Sequence, residues 1–232
     1  MFKDFITILS NKVYVGYILE GLWHTVALTV LAALIGLVIG CVVAIVKIAA
    51  TENKYMKIPA IICDVYTTII RGTPVALQLF VMVFAILAFP GFKPAAAIIT
   101  FGINSGAYVS ENIRAGILSV DKGQMEAGRA LGMTWLQTMV KIVIPQAFKN
   151  VVPAIGNELI ALLKETSILG LIGTTVGTLT FDLTAAADEI SHQIFSYLAP
   201  SILVGLCYLA IVYMLVLLVK FLERRLRQSD KR

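Results

Sequence analysis

The sequence predicts an all-α integral membrane protein, a bundle of five transmembrane helices with a cytoplasmic helical elbow. Three observations predict it. Of 232 residues, 59% are apolar and only 14% charged, against about 45–50% and about 25% in a soluble domain. A fold of this size has too little interior to hide that much apolar surface from water, so lipid must take the rest. Apolar runs of roughly 20 residues, the length that crosses a bilayer, recur along the chain. Lys and Arg gather in alternate connections between those runs.

The elements follow in order. The first span is 23–48, from Trp23 to Ile48. The second, 58–90, is one long or broken crossing, because Arg71-Gly72-Thr73-Pro74 interrupts it. The third is 94–118. A polar island at 121–149 forms the elbow, and spans at 151–176 and 194–221 complete the set. With no long linker and no internal repeat, residues 1–232 read as a single transmembrane domain. Met1 to Glu20 lacks a basic start, an apolar core and a cleavage site, which predicts no removable signal peptide.

Orientation follows from the basic residues. Lys47, Lys54 and Lys57 flank the first connection, and Lys122, Arg129, Lys141 and Lys149 lie in the island. Lys220, Arg224, Arg225, Arg227, Lys231 and Arg232 crowd the tail. With five spans all three segments share one side, so the island and C-terminus are expected in the cytoplasm and the N-terminus outside. The opposite side has Lys93 and a loop carrying Asp182, Asp188 and Glu189.

Cys41, Cys63 and Cys207 are scattered in or beside apolar runs, so they suggest packing rather than a disulfide or metal site. The pairs Gly36/Gly40, Gly102/Gly106 and Gly173/Gly177 have the four-residue spacing that lets helices approach closely in lipid. His24 and His192 are expected at the interfaces. No catalytic or metal-ligating set converges, no cofactor is implied, and an intramembrane enzyme is disfavoured. A self-contained secondary transporter is disfavoured too, because such proteins commonly carry repeats.

The island carries the sharpest local signals. Asp121 can cap a helix start, with Gln124 at the capping-box position. Gly132 is a natural stop, because glycine accepts the left-handed conformation. Thr134 then starts a second helix with Gln137 in the box position, and that helix runs to Pro145, which tends to end or kink it. Glu126 supplies a charge, and Ala127 and Gly128 are small enough for a partner to approach.

Glu126-Ala127-Gly128, Gly132 and Ile142-x-Ile144-Pro145 together resemble the EAA signature of membrane-spanning subunits of ABC importers. Gly128 stands where Ala is usual, and Ile144 where Leu is usual. Four further segments look like permeases for polar amino acids. They are Arg71-Gly72-Thr73-Pro74 with Leu77-Gln78-Leu79-Phe80, the run Ser105 to Glu111, Val120 to Gln124, and Asn157 with Leu163 to Ser167. The resemblance covers most of the chain from Trp23 to Arg227. It implies a bacterial inner-membrane importer with a second permease copy, identical or not. It also implies two ABC ATPase subunits, docked on a coupling helix containing Gln124, Glu126, Ala127, Gly128 and Gly132. An extracytoplasmic amino-acid-binding protein would deliver substrate, and transport would proceed by alternating access.

Ionisable residues inside a span are costly and usually face a pathway or the bundle interior. Glu158 and Glu165 lie seven residues apart, on one helix face and about 10 Å apart along the axis. They could hold an ammonium or a cationic side chain. Glu158 could equally make a buried interhelical hydrogen bond, and Glu165 could join a charge cluster with Lys164. Asn104 and Tyr108 share a face. With Ser105 and Asn157 they are either substrate ligands or satisfied interhelical contacts. Thr68 occupies a position often acidic in the family the chain resembles, which weakens the case for a strictly cationic substrate. Arg71 is expected to meet a lipid phosphate or a helix end, and Glu111 with Arg114 to form a local ion pair.

Overall fold

A computed structural model describes residues 2–228, all of its regular structure helical. Lys231 and Arg232 of the expected basic tail lie outside the described residues.

Helix α1 (Phe2–Ser10) precedes α2 (Lys12–Ala49), which begins where the Asn11 side chain accepts the Val13 amide at 2.9 Å. At 38 residues α2 is about 57 Å long, so it overruns the 23–48 span at its N-terminal end. It pairs most extensively with α5 (Lys93–Leu118). Small residues make that pairing close. A Cβ on Gly36 would lie 2.9 Å from the Ser105 side chain, and one on Gly40 would lie 2.5 Å from Val109. Reciprocally, Cβ atoms on Gly102 and Gly106 would meet Ile35 and Ile39 at 2.7 and 2.8 Å. The first two glycine pairs therefore serve packing within the chain.

The segment expected as the second span is bent. Helix α3 (Lys57–Gly72) ends where Thr73 and Pro74 are extended, because proline excludes the preceding residue from helical geometry. Helix α4 (Val75–Val81) then continues as a π turn, Met82–Ile86. The axis bends by 105° at the break.

The elbow consists of α6 (Lys122–Ala130) and α7 (Trp135–Thr138). Pro145 does not end the second helix. A π turn over Met139–Val143, closed by the Ile144 amide on the Met139 carbonyl, leads directly into α8 (Ile144–Glu165). The wider turn adapts the hydrogen-bond ladder just before the residue that has no N–H to give. The helix therefore starts inside the expected elbow.

It also stops earlier than the predicted 151–176 span. A 3-10 turn, Thr166–Ile172, follows α8, and Gly173 has φ +66°. Gly177 also has positive φ, +86°. These two glycines make turns in a loop and are not a helix-packing pair. The loop leads to a short helix that the hydropathy pattern did not reveal, α9 (Leu183–Ile194), packed between α2 and the last helix, α10 (Leu198–Gln228). Asp182, read only as a loop acid, is fully buried as the cap of α9. Its carboxylate accepts the Thr184 and Ala185 amides and the Tyr208 hydroxyl at 3.0–3.1 Å.

Helices α2 and α10 are each long and apolar enough to cross a membrane, and the bent α3–α4 pair makes a third if taken as one span. Helices α5 and α8 have 26 and 22 residues but carry polar side chains that dilute their apolar character. In α5 several of these, Asn104, Ser105 and Ser110, are buried against neighbouring helices.

Candidate translocation site and elbow

The polar residues of α5 fall into two groups, because adjacent helical positions point about 100° apart. Asn104 faces the broken helix, and its Nδ2 donates to Gln78 Oε1 at 3.0 Å. Gln78 Nε2 in turn donates to the Ile70 and Thr73 carbonyls and the Thr73 hydroxyl, at 2.8–3.1 Å. These acceptors include groups freed by the helix break, so Gln78 and Asn104 clasp the bend to α5. Tyr108, one turn on, lies under the Arg71 guanidinium at 5.4 Å. Thr68 borders the same side.

Ser105 turns the other way and lines one cleft with Glu158. The pair sits in an otherwise apolar cleft of about 370 Å3 between α2, α5, α8 and α10, with Val30, Leu34 and Leu222 on its walls. Glu158 therefore lies beside a hydroxyl of α5 and also faces open space. Glu165 is the last residue of α8, half-buried and within electrostatic range of Glu158. Asn157 is exposed on α8, seven residues from exposed Asn150 and Lys164 in either direction. That heptad spacing makes a polar stripe down one face of the helix. The seven candidates do not form one site: Asn104, Tyr108 and Thr68 lie on the α3–α4 side, Ser105 and Glu158 on the α2–α8 side.

A charged cluster went unread in the sequence. Lys47 is 7% exposed, and its ammonium contacts Asp64 at 2.8 Å, Thr67 at 2.8 Å and Glu111 at 2.9 Å. Glu111 gives its other oxygen to Arg114 at 2.8 Å, so the expected local pair is part of a larger network. The network borders a cleft of about 560 Å3 that also reaches Arg71. Lys47 had signalled only orientation. A lysine at the end of an apolar run could have flagged a buried partner, but which partner depends on helix packing. Lys93, another topological charge, spends its ammonium on the Ile172 and Gly173 carbonyls at 3.2 and 3.0 Å, where the 3-10 turn leaves acceptors unpaired.

In the elbow, Asp121 caps α6 by accepting the Gly123 amide. Gln124 does not close a box with it; its side chain meets Gln146 of α8 at 3.3 Å. The box does form at Thr134 and Gln137. Gly132 has φ +79°, with Met133 N–H on the Gly128 carbonyl and Gly132 N–H on that of Arg129. This is a Schellman end, which needs a residue tolerant of the left-handed region. Glu126 and Ala127 are exposed. Gly128 is buried, and the close approach it permits is internal: a Cβ there would lie 2.5 Å from Thr138 Cγ2. Arg129 reaches Glu52 at 3.6 Å, tying the elbow to the connection after α2.

An all-helical chain with membrane-length apolar helices, a bent helix pair and polar clefts between helices has the architecture of a membrane transport subunit. The chain belongs to the family of binding-protein-dependent transport system inner membrane components, whose family model matches residues 36–228. It is 41% identical over 219 residues to the arginine transport system permease protein ArtQ of Bacillus subtilis, covering 93% of this chain and 95% of that one. It is also 41% identical over 211 residues to a putative glutamine transport system permease protein, GlnP, of Rickettsia bellii, covering 90% of each. A crystal structure of an amino acid ABC transporter with histidines superposes with a TM-score of 0.83 at 37% identity, covering 94% of this chain and 98% of that one. The chain thus has the type I importer permease fold. It is a permease subunit of an ABC importer and not an enzyme, since ATP hydrolysis resides on a separate subunit in such systems.

Proposed function

We propose that this chain is the five-span permease of a polar amino-acid importer in the bacterial inner membrane, with α6 as the helix that docks an ABC ATPase. The spans we assign are α2, the bent α3–α4 pair, α5, α8 and α10, within one domain of residues 1–232. The elbow and C-terminus lie in the cytoplasm and the N-terminus outside. The relatives' names, an arginine and a glutamine permease, support the substrate class. The observation that carries the docking role is the exposed Glu126–Ala127 face of a helix held rigidly by the Gly132 corner and by Gly128 against Thr138. A rigid elbow transmits displacement of the ATPase to α8, into which α7 runs without a break.

A second permease copy fits the polar stripe Asn150, Asn157 and Lys164. Such a face is costly against lipid and is accommodated by another subunit or by an aqueous path. An extracytoplasmic binding protein would deliver the amino acid to the opposite end of the bundle. Glu158 with Ser105, Glu165 and Asn157 on one side, and Asn104, Tyr108 and Thr68 on the other, are the residues we assign to the substrate path.

Co-expression with the ATPase encoded beside the gene tests the docking. The wild type is expected to retain the ATPase through purification, and Glu126→Lys to lose it while still inserting and folding. Retention by a stable Glu126→Lys protein would remove α6 from the interface. For the path, Glu158→Gln is expected to raise the concentration for half-maximal uptake several-fold, about 1 kcal/mol for a charge-assisted contact. Unchanged uptake kinetics would leave Glu158 a packing residue.

A further inference from the structure

The network of Lys47 and Glu111 leaves three charged groups facing the cleft between α2, α3 and α5. The Lys47 ammonium has three donors and three acceptors, Asp64, Thr67 and Glu111, so it has nothing left to offer. Glu111 is likewise engaged at both oxygens, by Lys47 and Arg114. Asp64 uses one oxygen on Lys47 and is 65% exposed. Arg114 holds Glu111 yet remains 42% exposed. Arg71 makes no hydrogen bond among the described residues. It stacks on Tyr108, and its nearest carboxylate oxygen, on Glu111, is 4.0 Å away. Charge is expensive in a membrane-embedded bundle unless it is paired. Internal pairing accounts for Lys47 and Glu111 but not for a free carboxylate oxygen and a free guanidinium fork on one cleft.

We propose that this cleft holds the zwitterionic head of an amino acid, with its α-ammonium on Asp64 and its α-carboxylate on Arg71 and the outer edge of Arg114. The proposal rests on the amino-acid import reading and adds a station to it. A guanidinium fork matches a carboxylate in shape and charge. A purely cationic or purely anionic ligand would satisfy one wall and leave the other unpaired, whereas a zwitterion satisfies both. The volume of about 560 Å3 leaves room for a side chain beyond the head group. The cleft lies on the elbow side of the helix break, away from the Glu158 cleft. It is therefore a separate station, reading the groups all amino acids share.

The test uses the whole transporter, purified with its ATPase and without nucleotide. Binding of tritiated L-arginine and L-glutamine is competed with each parent, its decarboxylated form and its Nα-acetylated form. For the wild type, each truncated competitor is expected to be about tenfold weaker than the parent, the size of one charge-assisted hydrogen bond. In Arg71→Gln the penalty for removing the carboxylate should fall to within about twofold while the acetylation penalty persists. In Asp64→Asn the reverse is expected. Arg114 is left intact because it also holds Glu111. Penalties unchanged in both variants, or no binding by the wild type at millimolar probe, overturn the assignment. ATP-driven uptake of a mixture of tritiated L-amino acids by wild-type proteoliposomes supplied with the binding protein is measured beside it. Uptake with unchanged penalties removes this station alone, whereas no uptake of any amino acid removes the import reading.

Discussion

Helices α2 and α5 are held mainly by shape, with the Lys47–Glu111 ion pair at one end, while α3 and α4 are held by polar groups. Along the α2–α5 seam, glycine on each helix receives a branched or hydroxyl side chain from the other, and backbones approach until a single Cβ would clash. In lipid this close approach replaces the hydrophobic drive that water would supply. Helix α3 has only Ala60 and Thr67 buried, and most of its apolar residues are exposed. It is fastened along its middle by Lys47 on Asp64 and Thr67 and by the Tyr66 hydroxyl on the Ile103 carbonyl, and at its break by the Gln78–Asn104 clasp. A seam fixed by packing has one good arrangement. A helix fixed by a few discrete hydrogen bonds can exchange them for others, as alternating access requires of some part of the bundle. On this contrast α2–α5 is the expected frame and α3–α4 the element expected to move.

Three substitutions probe that contrast. Lys47→Met strips the cation from Asp64 and Glu111 and should cost about 3 kcal/mol, the low end for one partner removed from a buried pair because the carboxylates are partly exposed. The thermal midpoint of the detergent-solubilised protein should fall, and cysteines introduced along α3 should label faster. An unchanged midpoint would mean the network does not fasten α3. Gly40→Val would force Val109 and the Ser110 backbone away from α2, because even its Cβ would lie 2.5 Å from Val109 Cγ1. About 3 kcal/mol is expected from such overpacking, read as loss of folded protein with no selective change at α3. Gln78→Leu should cost least, about 2 kcal/mol for the acceptors it strands. It should loosen the 105° bend and alter transport more than stability. If Gln78→Leu melted the protein as severely as Gly40→Val, the division into frame and moving element would fail.

Glu158 shows how far local reasoning reached. A lone acid in an apolar run announces that it needs a polar neighbour, and the structure sets Ser105 on the same cleft. That Ser105 and its neighbour Asn104 serve different clefts is a matter of helix phase against two separate neighbours, which one segment cannot reveal. Lys47 and Asp64 were legible as charges but not as a pair, since 17 positions and a reversal of chain direction separate them. Gln124 illustrates the opposite failure. Its spacing from Asp121 suits a capping box, yet Gln146 competes for the side chain from α8.

The sequence by itself determined that the chain is helical and membrane-embedded, where the 58–90 segment bends and where the elbow turns. Each of these follows from local chemistry: apolar run length, the geometry proline imposes on Thr73, and the left-handed backbone that Gly132 accepts. Only the tertiary structure decided that Pro145 lies near the start of a continuous helix rather than at its end. It also decided that Gly128 opens space for Thr138, that Asp182 is a buried cap, and that Lys47, Asp64, Glu111 and Arg114 form one network. In lipid the hydropathy of a segment fixes its depth, but the partner of each buried polar group is fixed by which helix faces meet.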